Sequence, residues 1–460
     1  MRERLVVVGN GMAATRLCEE LVAHGYAGSV TVLGDEPGPA YNRVLLSAVI
    51  EGTYAPDALT LRDASWHERH GIDLRTGARV LDLDLARREV MLVDGTRLAF
   101  DKVVLATGAI ATLPPIRGLV RIDGQLHPRV HAFRSLADCR RLIEAMPAAR
   151  RAVVVGGGLL GLQVARALSV RGVATEIVEG AEHLLARQVD ARGGSVLRRS
   201  LRRLGTEVYT GTRAVRLTEE GVHLDTGHVL DTDLVVLAAG GRPSTALARR
   251  AGLRVRRGVV VDERLASVTD PRVHAIGDCA EFDGVTTGFV APAWEQAGVL
   301  ARVLTAGPTT RVPTYSGTRA VARLRATGLD VAVLGDPERT DGDVVEVTNP
   351  VVGSHRKLVV RDGAIVAGAL VGDLSRVGLI TQFYDRGTVL GAEEPGELLM
   401  VERPDAEPVR LADETEVCAC AGVTAGEIRA CPTASVARER TRATTGCGGC
   451  AAVVGRLVGS

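Results

Sequence analysis

Leu5-Val6-Val7-Val8-Gly9-Asn10-Gly11-Met12-Ala13-Ala14 is the stretch from which the fold can be read. Its apolar run suits a parallel strand buried on both faces. The small residues Gly9, Gly11 and Ala14 then let backbone N–H groups at a helix start approach a phosphate closely. A helical pattern through Leu17, Leu21 and Val22 follows, and a second strand, Ser29 to Leu33, ends at Gly34-Asp35-Glu36. An acid at that point can bond ribose hydroxyls. Asp35 is nearer the strand end and takes the role, with Glu36 as its competitor.

The same pattern recurs further along. Ala152-Val153-Val154-Val155 leads into Gly156-Gly157-Gly158-Leu159-Leu160-Gly161, then a helix from Leu162 to Val170, then a strand from Ala174 ending at Glu179. Each module has a companion strand that stops in a small-residue turn. These are Val103-Val104-Leu105-Ala106-Thr107-Gly108 and Leu234-Val235-Val236-Leu237-Ala238-Ala239-Gly240-Gly241; a further strand, Val273 to Ile276, ends at Gly277-Asp278. The repetition predicts an α/β protein with two Rossmann-like dinucleotide-binding domains. Two dinucleotides in one chain suggest hydride transfer from a nicotinamide to a flavin. Glu179 would accept from a 2′-hydroxyl and repel a 2′-phosphate, and Gly180-Ala181 supply no arginine, so NADH is expected over NADPH.

Composition limits the other possibilities. The 460 residues are long enough for several domains, and 56 basic against 55 acidic residues leave no basic field for nucleic acid or an anionic membrane. There is no apolar run of the ~20 residues needed to span a bilayer, and no long apolar stretch of signal-peptide type near Met1. The chain is therefore expected to be cytoplasmic. The run Arg198-Arg199-Ser200-Leu201-Arg202-Arg203, with Leu197, Leu201 and Leu204 at helical spacing, reads as a solvated helix face. Histidines are scattered, none at metal-ligand spacing. Beyond Pro308, short apolar runs such as Val331–Leu334, Val344–Val347, Lys357–Val360 and Ile365–Ala369, divided by Gly-Asp and Asp-Gly turns, predict a small α+β domain over 308–401. Residues 402–416, acidic and proline-bearing, read as a linker.

Five of the eight cysteines lie beyond residue 417. Cys418-Ala419-Cys420 and Cys447-Gly448-Gly449-Cys450 give Cys-x-Cys and Cys-x2-Cys on glycine-bearing loops, a donor set for tetrahedral sulfur ligation by a 2Fe–2S cluster or by zinc. The Cys-x-Cys half tilts toward the cluster, because structural zinc usually takes wider spacing. Cys431 falls outside the pattern. Cys18, Cys139 and Cys279 are isolated and read as small buried residues. No cysteine lies between Tyr41 and Tyr54, so a disulfide beside the flavin is not expected.

Five motifs carry a family resemblance: Val7-Val8-Gly9-Asn10-Gly11-Met12, Ala40-Tyr41-Asn42-Arg43-Val44, Gly156-Gly157-Gly158-Leu159-Leu160-Gly161-Leu162, Ala275-Ile276-Gly277-Asp278-Cys279-Ala280 and Val290-Ala291-Pro292-Ala293-Trp294-Glu295-Gln296-Ala297. Together they resemble the flavoprotein half of bacterial NADH-dependent nitrite reductase large subunits and the electron-transfer subunit of assimilatory nitrate reductases. The resemblance extends from Arg4 to Cys450, and the cysteine tail is similar to the bacterioferritin-associated ferredoxin type of 2Fe–2S domain.

The resemblance implies the FAD/NAD-linked reductase fold. It implies an FAD domain over 1–118 and 245–307, an NADH domain over 119–244, and a short helical iron–sulfur domain over 417–460. It places FAD against Gly9, Gly11, Met12, Ala14, Asp35, Glu36, Arg43, Val80, Ala106, Thr107, Gly108, Arg134, Gly277, Asp278, Pro292 and Trp294. NAD falls to Gly156, Gly158, Leu159, Leu160, Gly161, Glu179, Gly240 and Gly241, and the cluster to Cys418, Cys420, Cys447 and Cys450. Pro292 would lie at a helix start whose N–H groups favour an anionic reduced flavin. Hydride transfer then belongs to the cofactors, with no catalytic acid or base.

Related reductases often carry a lysine where Ala48 stands and a glutamate where Gln163 stands. Their joint replacement removes both halves of an ion pair. The implied function is electron transfer from NADH through FAD and the cluster to a separate molybdenum subunit of a nitrate reductase. Since no sirohaem-type module follows Cys450, nitrite reduction by the chain itself is not expected. The alternatives are a ferredoxin or rubredoxin reductase, a donor to a separate nitrite reductase, and a non-catalytic redox-sensing adaptor.

Overall fold

A computed structural model describes residues 2–307, 313–319, 321–400, 411–418, 421–446 and 450–458. Most of the linker over 402–416, together with Cys420 and Cys447, lies outside the described residues. The chain divides into two compact units. Unit 1 comprises the described residues of Met1–Arg43, Pro56–Ile110 and Gly241–Thr318; unit 2 those of Val44–Ala55, Ala111–Gly240 and Arg319–Ser460.

In unit 1 the strand Arg4–Val8 is the middle of a five-stranded parallel sheet ordered Val273–Ala275, Lys102–Leu105, Arg4–Val8, Ser29–Leu33, Ile72–Arg75. Leu5, Val6, Val7 and Val8 are all buried, as expected of a strand covered on both faces. The helix Met12–Ala23 covers the sheet with Leu17 and Leu21, and the helix Val290–Thr305 packs beside it. From Arg4–Val8 the chain runs to one side of the sheet and later returns to the other, so the carboxyl end of this strand opens a crevice.

Unit 2 repeats the arrangement: Thr206–Thr210, Ala174–Glu179, Arg151–Val155, Leu234–Leu237 and Val130–Ala132 form a second parallel sheet. The short helix Leu46–Glu51 belongs to this unit, against the helices Leu159–Val170 and Leu136–Ala145. Ala48 and Gln163 therefore stand on helices that pack together.

A second, antiparallel sheet of unit 2 runs Val321–Ala326, Leu329–Leu334, Ala364–Val371, Ser354–Arg361, Asp343–Asn349. Its two faces are told apart by alternation along Ser354–Arg361. Leu358 and Val360 join a core with Ile380 and Tyr384 of the helix Val377–Arg386, whereas His355 lies toward the helix Ala191–Arg203. The cysteine-bearing tail has its own small core around Val423, Ile428, Ala437 and Val454, built from the hairpin Glu416–Cys418/Val423–Thr424 and three short helices. Among the described residues, no helix is long and apolar enough to cross a membrane.

Candidate functional site

The first glycine loop is shaped by backbone contact. Gly9 has φ +116°, and a Cβ on it would stand 2.1 Å from the Ala106 carbonyl oxygen. No side chain is possible where the loop crosses the next strand's exit. Gly11 caps the helix Met12–Ala23 with no side-chain bond, and a Cβ on it would meet nothing within 4 Å. The first N–H groups of that helix, beginning at Met12, thus lack a capping partner beside open space. This is the chemistry a pyrophosphate requires.

The second loop repeats the design. Gly156 has φ +118° and abuts the Ala238 carbonyl; a Cβ on Gly161 would strike the Gly156 oxygen at 1.9 Å. Gly158 caps Leu159–Val170, again without a side-chain bond and with open space beside it. Both loops therefore fit a dinucleotide.

The acids at the strand ends differ. Glu179 closes its strand, and its carboxylate accepts the N–H groups of Gly157 at 2.5 Å and Ala181 at 2.8 Å. Asp35 is exposed and makes no hydrogen bond or ion pair among the described residues, which leaves it available. Glu36 instead accepts from Tyr41 Oη at 2.7 Å and pairs with Arg43. Arg43 also lies over the Tyr41 ring at 4.9 Å. Burial works against its charge, but Tyr41, Glu36 and Asp278 together hold the guanidinium more firmly protonated than usual. Arg43 and Asp278 are thus brought to one place in unit 1, as a flavin contact would require.

Gly277 (φ +72°) lies against Ala13, and its N–H donates to Gln296 Oε1 at 2.7 Å. That bond ties the Gly277-Asp278 turn to the helix Val290–Thr305, whose first turn contains Pro292. Trp294 of this helix is buried, with Arg16 over its ring at 5.5 Å and no hydrogen-bond partner for Nε1. Thr107 Oγ1 donates to the Ser244 carbonyl at 2.8 Å, fixing the turn through Gly108 (φ +65°). Val80 begins a strand of the small sheet with Leu92. Arg134 stands in unit 2, ahead of the helix Leu136–Ala145, with its N–H on Asp138. Gly240 (φ +94°) and Gly241 follow the strand Leu234–Leu237.

Sequence reasoning missed two residues. Gln296 stands inside the Val290–Ala297 motif, but its task, accepting the backbone N–H of a turn distant in sequence, leaves no signal there. Arg213 comes from the turn after Thr206–Thr210, yet a Cβ on Gly180 would meet its Cγ at 3.3 Å and Nε at 3.4 Å. A guanidinium side chain therefore lies against the residue after Glu179, although the local sequence contains none.

In the tail, Cys418 and Cys450 are both buried and stand side by side, the Cys418 thiol pushed up first by its hydrogen bond with Cys450 and then by burial. The Thr444 N–H donates to Cys450 Sγ at 3.2 Å. Paired sulfurs met by a backbone N–H fit a thiolate-held cluster or metal. Cys431 is also buried, but its thiol donates to the Glu427 carbonyl at 3.3 Å. Burial raises Cys18 and Cys139 to about 12, so both stay protonated and unreactive.

The fold and the two cradles define an NAD(P)H-dependent FAD oxidoreductase. The chain belongs to the pyridine nucleotide-disulphide oxidoreductase family, whose profile matches residues 3–301. It is 32% identical to a nitrite reductase [NAD(P)H] of Bacillus subtilis over 99% of this chain and 57% of that protein. It is 29% identical to the assimilatory nitrate reductase electron transfer subunit of the same organism, over 99% of this chain and 59% of that one. The chain thus spans somewhat more than half the length of these relatives. Among solved structures, a ferredoxin reductase from Rhodopseudomonas palustris matches with a TM-score of 0.73 and 26% identity, covering 81% of this chain and 91% of that one.

Proposed function

We propose that the chain oxidises NADH and delivers the electrons one at a time to a separate acceptor protein, the molybdenum-bearing partner of an assimilatory nitrate reductase. The observation that carries this reading is the combination, in one chain, of two uncapped glycine-loop helices with a buried cysteine pair. When bound, FAD would take two electrons from the nicotinamide and a 2Fe–2S cluster would carry them singly.

The chain's own residues bind and orient. The Met12 and Leu159 helix starts receive pyrophosphates, Asp35 and Glu179 take ribose hydroxyls, and Arg43 with Asp278 brackets the flavin's phosphate and ribityl portion. Gln296 fixes the Gly277 turn, and Cys418, Cys420, Cys447 and Cys450 supply thiolates. Selectivity for NADH rests on Glu179. The similarity to a nitrite reductase over 99% of the chain favours a second reading, in which the same electrons enter a nitrite-reducing partner.

The test is Cys450→Ser in protein purified without oxygen. NADH-dependent reduction of a dye should persist near the unaltered rate while transfer to a protein acceptor falls at least tenfold. Negligible dye reduction by the unaltered protein would leave only an adaptor, and a colourless four-sulfur zinc tail would end the cluster assignment.

A further inference from the structure

A second group of metal-binding side chains lies in unit 2, apart from the cysteines. Asp190, Glu346 and His355 each offer a ligand atom, and all these atoms lie within 4.8 Å of one another. The fold assembles them. Asp190 caps the helix Ala191–Arg203, its Oδ1 accepting the Gly193 N–H at 2.8 Å. Glu346 and His355 come from the neighbouring strands Asp343–Asn349 and Ser354–Arg361, where Thr348 pairs with His355 and Glu346 with Lys357. Alternation puts these four side chains on the sheet face that meets the helix. Gly193 makes the room: a Cβ there would stand 3.0 Å from His355 Cδ2.

The histidine gives the group its direction. Its side chain is 0% exposed, and Nε2 faces Asp190 Oδ1 at 3.3 Å yet has no hydrogen-bond partner. A tetrahedral ion with ligand bonds of about 2.0–2.2 Å holds neighbouring ligand atoms about 3.4 Å apart; the His355–Asp190 pair stands at 3.3 Å, and all three ligand atoms lie within 4.8 Å of one another. Nδ1 lies 2.8 Å from Thr348 Oγ1, the kind of outer bond that orients a ligating imidazole.

The surrounding charges leave room for a cation. Lys357 Nζ is 2.8 Å from Glu338 and 3.7 Å from Asp190, and Arg192 pairs with Glu346. With His355 neutral, three carboxylates face two cations. Arg192 is 67% exposed and can swing into water, opening the solvent side at Glu346.

We propose that Asp190, Glu346 and His355 form a zinc-type divalent-cation site, with water as fourth ligand, clasping the Asp343–Arg361 hairpin to the start of the helix Ala191–Arg203. Thr348 is a positioning residue.

The test uses the full-length, flavin- and iron-loaded protein, titrated with zinc against a competing chelator, with metal content counted per chain. The unaltered protein should hold one zinc that His355→Ala loses. Glu346→Gln should weaken that zinc at least tenfold, and Thr348→Val roughly tenfold. Iron content and flavin absorbance should stay constant throughout. Cobalt at this position should give visible bands without the thiolate charge-transfer absorption that a cysteine site would add. Equal zinc affinity and content in the unaltered protein and Glu346→Gln, or no zinc uptake at all, would overturn the site and leave a histidine–aspartate contact. Glu346→Gln, on a partly exposed strand position, keeps the test decisive if His355→Ala fails to fold.

Discussion

Replacing Glu179 by alanine is expected to reverse the preference between the two nicotinamide cofactors. The carboxylate holds the Gly157 and Ala181 N–H groups at 2.5 and 2.8 Å, so its position is fixed before any ribose arrives. A hydrogen bond to a charged acceptor contributes about 1.5–3 kcal/mol, so its loss should lower kcat/KM for NADH roughly 10- to 150-fold. For NADPH the sign is opposite. Two like unit charges 4 Å apart at an effective dielectric constant of 20 repel by about 4 kcal/mol, and the substitution removes that repulsion. Arg213, packed against Gly180, would then be free to meet the 2′-phosphate. The NADH:NADPH ratio of kcat/KM should fall by two orders of magnitude or more. Adding Arg213→Ala should take back only the part of the NADPH gain that the guanidinium supplies and leave NADH unaffected. Stopped-flow reduction of the flavin with each cofactor measures both. An unchanged ratio in Glu179→Ala would refute the assignment, and an NADPH gain untouched by Arg213→Ala would remove Arg213 from it.

Two further outcomes follow from close packing at Gly9 and burial at His274. Gly9→Ala should abolish flavin retention, because a Cβ would need to stand 2.1 Å from the Ala106 oxygen at φ +116°; flavin content per chain is the measurement, and a normally loaded variant would contradict the cradle. His274 is buried with Nδ1 unpartnered, and burial pushes its pKa down to about 4. Because the folded value lies below the unfolded one, the unfolded chain takes up the proton first. Stability is therefore full above pH ~6.5 and declines toward pH ~4, by about 2 kcal/mol between pH 7 and pH 5. Urea unfolding at those two pH values should show His274→Gln losing less than the unaltered protein; parallel losses would remove His274 as the cause.

The two parallel sheets were legible because a both-faces-buried strand announces itself as an unbroken apolar run, and a close backbone crossing announces itself as glycine. The antiparallel sheet was readable in four of its five strands. The fifth, Val321–Ala326, places arginine between Ala322 and Leu324, and alternation without strong β-formers gives little signal. That Val44–Ala55 packs with unit 2 left no local trace, since the preference arises from the helix Leu46–Glu51 meeting two helices distant in sequence. The same holds for Arg213 beside Gly180 and for Asp190, Glu346 and His355. Those histidine and carboxylate positions lie too far apart along the chain for any spacing rule. That Glu179 closes its strand is legible in the sequence, whereas the N–H groups that orient its carboxylate are not.

The chain passes between its two units five times, after Arg43, Ala55, Ile110, Gly240 and Thr318. During synthesis the sheet begun by Arg4–Val8 therefore waits for its outermost strand, Val273–Ala275, until the NAD-type module has left the ribosome. The nascent chain must hold the apolar flank of Lys102–Leu105 unpaired through that interval, the condition under which partly made chains recruit chaperones. Unit 2 can mature its own parallel sheet in the meantime, so synthesis order favours the second glycine-loop module as the first piece to become native. A fragment truncated before Val273 should accordingly retain NADH binding while failing to take up flavin.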